Sequence, residues 1–365
     1  MRGKSSIPID SLWPSAWFYL GILTIVGCAS HPPETPGVHK VPRLRPRVDE
    51  TQPPGSQPGW EESGKAVTVT TIPVAGRMPG LLYGQGAVWV TGGKFMKIDP
   101  ASNSIVAELK EASGCVAAVG EGYIWATKFG LKAHDLVRLA PQTGEVTARV
   151  RGLPHYRGSP AVGEGSVWLH VAGKVLRIDP KRAEVVATIP THGSWGTIAF
   201  GAGAVWVLEQ THPWPNAESL LLRIDASSNQ LTDTLHLGTG AGSIAVGEDA
   251  VWVAQWEQTS PREPMPGKLL RIEPRSLRIV RAIPLWSQPA HIVIAAGSVW
   301  VSSSEAILRV DPMTNRVTEM VRVPGTFGLA AGAGALWVGE SFSSACVYRL
   351  ELSELTADDS HESQK

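Results

Sequence analysis

From about residue 66 onward the chain is built of short apolar runs of four to seven residues, separated by glycine, proline and aspartate, with a phase that resets again and again. One unit shows the pattern: Ala161-Val162 leads into Gly163-Glu-Gly165, and Ser166-Val-Trp-Leu169 leaves it. Two apolar runs flanking a short glycine-containing connection predict a β-hairpin. A third alternating run, Lys174-Val-Leu-Arg-Ile178, ends in Asp179-Pro-Lys-Arg182, which suits a type I turn. The β-branched run Glu184-Val-Val-Ala-Thr-Ile189 then supplies a fourth strand before Pro190 stops it. The unit is predicted to be a four-stranded antiparallel meander.

The unit recurs. Its tryptophan stands at 89, 125, 168, 206, 252, 300 and 337, at intervals of 36, 43, 38, 46, 48 and 37 residues. Such uneven spacing does not suit a stacked solenoid, but it suits blades with loops of unequal length. One blade cannot cover both of its faces, whereas a ring of them can. The expected fold is therefore an all-β, seven-bladed β-propeller over 66–355. The tryptophans are expected to pack between blades, and Asp99, Asp179, Asp225 and Asp311 to start turns, because Pro100, Pro180 and Pro312 follow three of them. Ile72-Pro73 lies sixteen residues before Trp89, as Ile189-Pro190 lies before Trp206 and Ile283-Pro284 before Trp300. Val67–Pro73 thus has the phase of a fourth strand, while no such run follows Cys346–Leu350. The expectation is a ring closed by an N-terminal strand.

Outside the repeats the composition changes. Arg2 and Lys4 precede a largely apolar stretch from Leu12 to Val26, so residues 1–27 read as an export signal. Ile25-Val-Gly-Cys28 resembles the bacterial lipobox, which implies lipidation of Cys28 and a membrane-anchored protein facing the periplasm or the cell exterior. Residues 28–65 are rich in Pro, Gly, Ser and charge and have no periodic apolar face. They read as a disordered tether with a reach on the order of 100 Å. Residues 356–365 read as a disordered acidic tail. Lys plus Arg and Asp plus Glu are balanced at 33 each, with a pI near 7.2, so nothing points to nucleic acid. Cys115 and Cys346 fall on strands of different blades, which argues against a disulfide. A monomer is expected.

No phosphate loop, zinc-binding cysteine pair, His-Glu-x-x-His helix or Gly-x-Ser-x-Gly elbow occurs. The departures from the repeat are the candidates instead, because loops on a rigid scaffold carry binding groups. Connections between blades, and between second and third strands, share one face. They bring Tyr156, Arg157, His192, Trp195, Glu209, His212, Trp214, Trp256, Trp286 and Glu340 to it as candidate ligand-binding residues. The set suits a protein, peptide, glycan or small-molecule ligand.

Gly-x-Gly-x-Val-Trp-Val, followed by Leu-x-Arg-Ile-Asp-Pro and Val-x-x-x-Ile-Pro, resembles the YVTN-type and virginiamycin B lyase-like propellers across the whole repeat domain. The lyase opens a cyclic depsipeptide by elimination, using histidines and glutamates near the channel mouth together with magnesium. Nine residues before each tryptophan stand Gly80, Val116, Ser159, Thr197, Ser243, His291 and Gly328, so only His291 offers a base or ligand there. The clustered histidines of the lyase are not reproduced. The reading is a binding scaffold with no cofactor and no metal site, and the alternative is a magnesium-assisted lyase with His291 as its base.

Overall fold

The computed structural model describes residues 37–47, 59–74, 80–92, 94–112, 116–130, 133–154, 156, 158–193, 195–211, 218–256, 267–303, 305–323, 326–340 and 345–356. The architecture is an all-β propeller made of antiparallel meanders. The predicted signal segment, Cys28, Cys115 and the tail beyond 356 lie outside the described residues.

The hairpin glycines have two separate duties. In Gly-x-Gly the middle residue and the second glycine both take positive φ: 53° at Gln85 and 72° at Gly86, 47° at Glu164 and 64° at Gly165. This is the two-residue turn whose twist matches that of its strands. The first glycine is needed for close approach. A Cβ at Gly84 would stand 2.5 Å from the Val119 side chain, and one at Gly332 would stand 2.0 Å from the ring of Tyr83. Each repeat rests there on the next, and the last rests on the first.

All seven repeat tryptophans are fully buried. Six of them donate from Nε1 to the carbonyl five residues earlier at 3.0–3.3 Å, which satisfies the one polar atom that a buried indole carries. The cation on the third strand lies over an aromatic ring of its own repeat: Arg177 is 4.9 Å from the Trp168 ring, and Arg349 is 5.3 Å from that of Trp337. Its guanidinium then reaches the turn of the following repeat. Arg138 donates to Pro180 O at 2.7 Å, Arg177 to Ala226 O at 2.8 Å, and Arg349, in the last repeat, to Pro100 O of the first at 2.6 Å. The turn aspartates accept as predicted, Asp179 from the amides of Lys181 and Arg182 at 2.7 and 3.0 Å. These bonds hold their carboxyls below the ordinary range.

Two expectations need correction. Five of the sheets are free-standing four-stranded blades, not seven, and the remaining strands form one nine-stranded sheet. Nor is the expected closure of the ring by an N-terminal strand supported, because the N-terminal segment lies inside that nine-stranded sheet. Both differences have one cause, in residues that read as disordered tether. Gly37–Pro46 forms a strand, β1, and Trp60–Pro73 a second, β2. β2 pairs with Cys346–Glu351, through Val69 with Leu350 and Pro73 with Cys346. β1 covers the other side of β2, Gly37 facing Thr71 and Pro46 facing Trp60, and it pairs through Arg43 and Leu44 with Val321 and Met320 of Arg316–Arg322. The strap thereby joins two meanders into one sheet.

What holds β1 is a buried charge. Arg43 and Glu319 are each about 5% exposed and form a two-pronged ion pair. Arg43 also donates to the carbonyls of Glu354, at 2.6 Å, and Leu355, at 3.2 Å, in the terminal helix α1 (Leu352–Thr356). The Glu354 carboxylate returns to Thr68 of β2, accepting from its hydroxyl at 2.9 Å. Removing Arg43 leaves a buried carboxylate without its main partner, a loss of roughly 3–5 kcal/mol. Arg43→Ala and deletion of 37–46 should therefore both lower the urea midpoint strongly, whereas truncation of residues 29–36 should leave it unchanged. A deletion of 37–46 with an unaltered midpoint would contradict the role given to β1.

Candidate functional site

The loop face is organised by the end of each repeat's second strand. Side chains alternate across a strand, so the residues two and three places after the tryptophan point to opposite sides. The first side carries Thr91, Thr127, His170 and Ser302, and the second Glu209, Gln255, Ser303 and Glu340. All eight are buried polar groups. Two of those two places after the tryptophan hold the loop that leaves their own repeat: Thr127 Oγ1 is bonded to the Tyr156 hydroxyl at 2.9 Å, and His170 Nε2 lies 3.3 Å from Thr191 Oγ1. Two of those three places after hold the loop that enters: Gln255 Nε2 donates to Leu237 O and Thr239 O at 2.8 and 2.7 Å, and Glu209 accepts from the His192 amide at 2.9 Å; Ser303 Oγ instead donates to Ala306 O of its own repeat at 3.0 Å.

His170 and Glu209 come from adjacent repeats and meet across the loop 190–193, with Nε2 to Oε2 at 3.3 Å and both side chains at most 2% exposed. Burial pushes the Glu209 carboxyl upward, but the His170 ring, the Gly193 and His192 amides and the Thr191 hydroxyl outweigh it, so the group titrates below its ordinary range. Glu209 is thus a buried carboxylate surrounded by donors, and His170 is a partner that the sequence reading missed. Superposing the repeats on their tryptophans would have exposed this polar pair of positions.

The other predicted residues differ in exposure. Tyr156 and Glu340 are buried, Tyr156 with its ring centroid 5.5 Å from that of His134, and Glu340 with its carboxylate 4.0 Å from the Cys346 thiol. Trp256 is half-buried against its own blade: a Cβ on Gly242 would stand 2.2 Å from the indole, so this glycine makes room for the ring. His192 and Trp195 are open to solvent, His192 with its side chain 53% exposed and Trp195 at 49%. Arg157, His212 and Trp214 lie outside the described residues.

Trp286, at a positive φ of 56°, meets Trp60 of β2 edge to face at a centroid distance of 6.0 Å. Together with Glu305 and Arg322 they line a small cleft. Trp60 escaped the sequence reading because it stands in the arm that read as tether. His291 donates its backbone amide to Ser302 Oγ at 3.1 Å. Among the described residues no three His, Cys, Asp or Glu side chains are placed to hold a metal ion.

No protein-family profile matches the chain, and no curated protein is similar to it in sequence. Solved structures are similar in fold. Kuenenia stuttgartiensis hydrazine synthase superposes with a TM-score of 0.61 at 9% identity, over 76% of this chain and 97% of that one. The WD40 domain of Neurospora crassa Pan2 gives 0.56 at 10% identity, over 75% and 88%. BamB from Moraxella catarrhalis gives 0.53 at 11% identity, over 80% and 87%. The chain has the propeller fold that these three share.

The anchoring of loop 190–193 by Glu209 has a pH signature. A carboxyl held below its ordinary range adds stability that is present above the unfolded-state value and is lost as pH falls through the folded one. Glu209→Gln should keep the fold, lower the urea midpoint at neutral pH, and flatten the decline in stability between pH 5 and 3. Glu209→Ala should cost roughly 3 kcal/mol at pH 7. Equal acid profiles for wild type and Glu209→Gln would exclude the buried ionised brace.

Proposed function

We propose that the chain is a lipid-anchored, extracytoplasmic propeller of seven blades that binds a partner through its loop face and carries out no chemistry. The count of seven takes the nine-stranded sheet as two blades bridged by β1, with β2 as the fourth strand of the last. Arg349 reaching Pro100, and Gly332 packed on Tyr83, support such a ring. Anchoring through Cys28 rests on the lipobox resemblance, and with it the envelope location.

One observation carries the scaffold reading. Glu209, a buried carboxylate of the loop face, accepts from the His192 backbone amide, lies 3.3 Å from the ring of buried His170 and faces no solvent. A group held in this way fixes loop geometry. Trp195 and His192, which that loop presents outward, are then groups for recognition, since a rigid aromatic surface carries a large part of such binding energy. The similarity to BamB and to a WD40 domain supports the fold of such a scaffold and leaves its partner open.

The test uses a photoactivatable phenylalanine analogue at Trp195 on the loop face, and another at Met313, 86% exposed on a turn of the opposite face. Ultraviolet light should give adducts in the cell envelope from position 195 and not from 313. Equal yields from both would contradict the loop-face assignment. The same purified protein with magnesium and a cyclic depsipeptide should leave the ring intact; ring opening abolished by His291→Ala would establish the lyase instead.

A further inference from the structure

The strap changes where the tether begins and which way it leaves. In the sequence reading the chain is free from Ala29 to about Lys65. In the fold it is captured at Gly37, so that only nine residue steps separate the strap from Cys28. Nine steps of extended chain span at most ~30 Å.

The direction follows from register. β2 ends at Pro73, which faces Cys346, and Val74 donates to Ala345 O at 2.9 Å, so this end of the sheet carries the connections of the loop face. Gly37 faces Thr71, two residues from that end, and β1 runs antiparallel to β2. The N-terminal end of β1 therefore lies at the loop-face end of the sheet, where Val38 is 68% exposed. A short leash leaving from the rim of one face brings that face toward whatever holds its other end.

We propose that the loop face is turned toward the bilayer that holds the Cys28 lipid, and that its exposed indole at Trp195 meets the phospholipid–water interface. The proposal rests on the anchoring read above and specifies the partner of the same face. The chemistry agrees, since an indole with an apolar body and a polar edge is the side chain that settles at headgroup level. The buried Arg43–Glu319 pair sets the distance: with it intact the gap is limited by nine residues, and with it broken the leash lengthens by the whole arm.

The test is made on full-length, lipidated protein in vesicles of phosphatidylethanolamine and phosphatidylglycerol, with and without brominated acyl chains. Bromine should quench part of the tryptophan emission, and Trp195→Phe should remove at least half of the quenched component while leaving the melting temperature near that of wild type. Freeing the strap with Arg43→Ala should reduce quenching as well. Protein that labels with palmitate, yet shows the same emission in brominated and plain vesicles, would overturn the orientation and leave the anchor standing. Absence of palmitate labelling would overturn both. Quenching unchanged by Trp195→Phe would assign the contact to another face and refute the proposal.

Discussion

Every repeat in this chain depends on burying one indole between neighbouring sheets, and the rest of the structure is arranged so that this burial can recur. A buried tryptophan supplies a large apolar surface but brings a polar N–H with it, and a carbonyl five residues back satisfies that atom in six of the seven repeats. In six of the seven repeats a glycine ends the first strand and allows close approach of the next repeat, because a side chain there would strike a residue such as Val119 or Phe200; Ala295 stands there in the sixth. The cation on the third strand then covers a ring and hydrogen-bonds onward to the following turn. Each contact links one repeat to the next in one rotational sense, so the ring is held by a single interaction used repeatedly.

The loop face inherits its order from the same strands. Because the second strand is pinned by its tryptophan, the positions two and three places on are fixed in direction, and in several repeats a polar residue there holds a neighbouring loop. Thr127 with Tyr156, His170 with Thr191, and Gln255 with the carbonyls of Leu237 and Thr239 are variants of this arrangement. Glu209 and His170 are the charged version, in which two repeats meet across one loop. Glu209, which stands out in the sequence as a candidate ligand-binding residue, thus holds backbone through the His192 amide.

Much of this was legible in the amino-acid order, for reasons that can be stated. Alternation, tryptophan spacing and turn residues are local, so the strands and turns emerged from pattern alone. The hairpin turn follows from the local pattern, but the duty of its first glycine does not, because close packing against the next repeat is a non-local requirement. β1 was missed for the same reason. Lys40, Arg43 and Arg45 make its sequence look solvated, and only the partner Glu319, 276 residues away, explains a buried arginine there. Trp60 and His170 were missed because their neighbours in space come from other segments. Tyr156 is a candidate ligand-binding residue by sequence, whereas its hydroxyl is bonded to Thr127 within the core.

The account stands or falls on whether the last repeat is joined to the first as each repeat is joined to the next. Arg349 Nη1 lies 2.8 Å from the Asn103 side-chain oxygen, across that junction. A double-mutant cycle with Arg349→Ala and Asn103→Ala, read from urea unfolding, measures the junction directly. A closed ring predicts a coupling energy of about 0.5 kcal/mol or more. Strict additivity of the two losses would show that the first and last repeats are not in contact, and it would contradict the account.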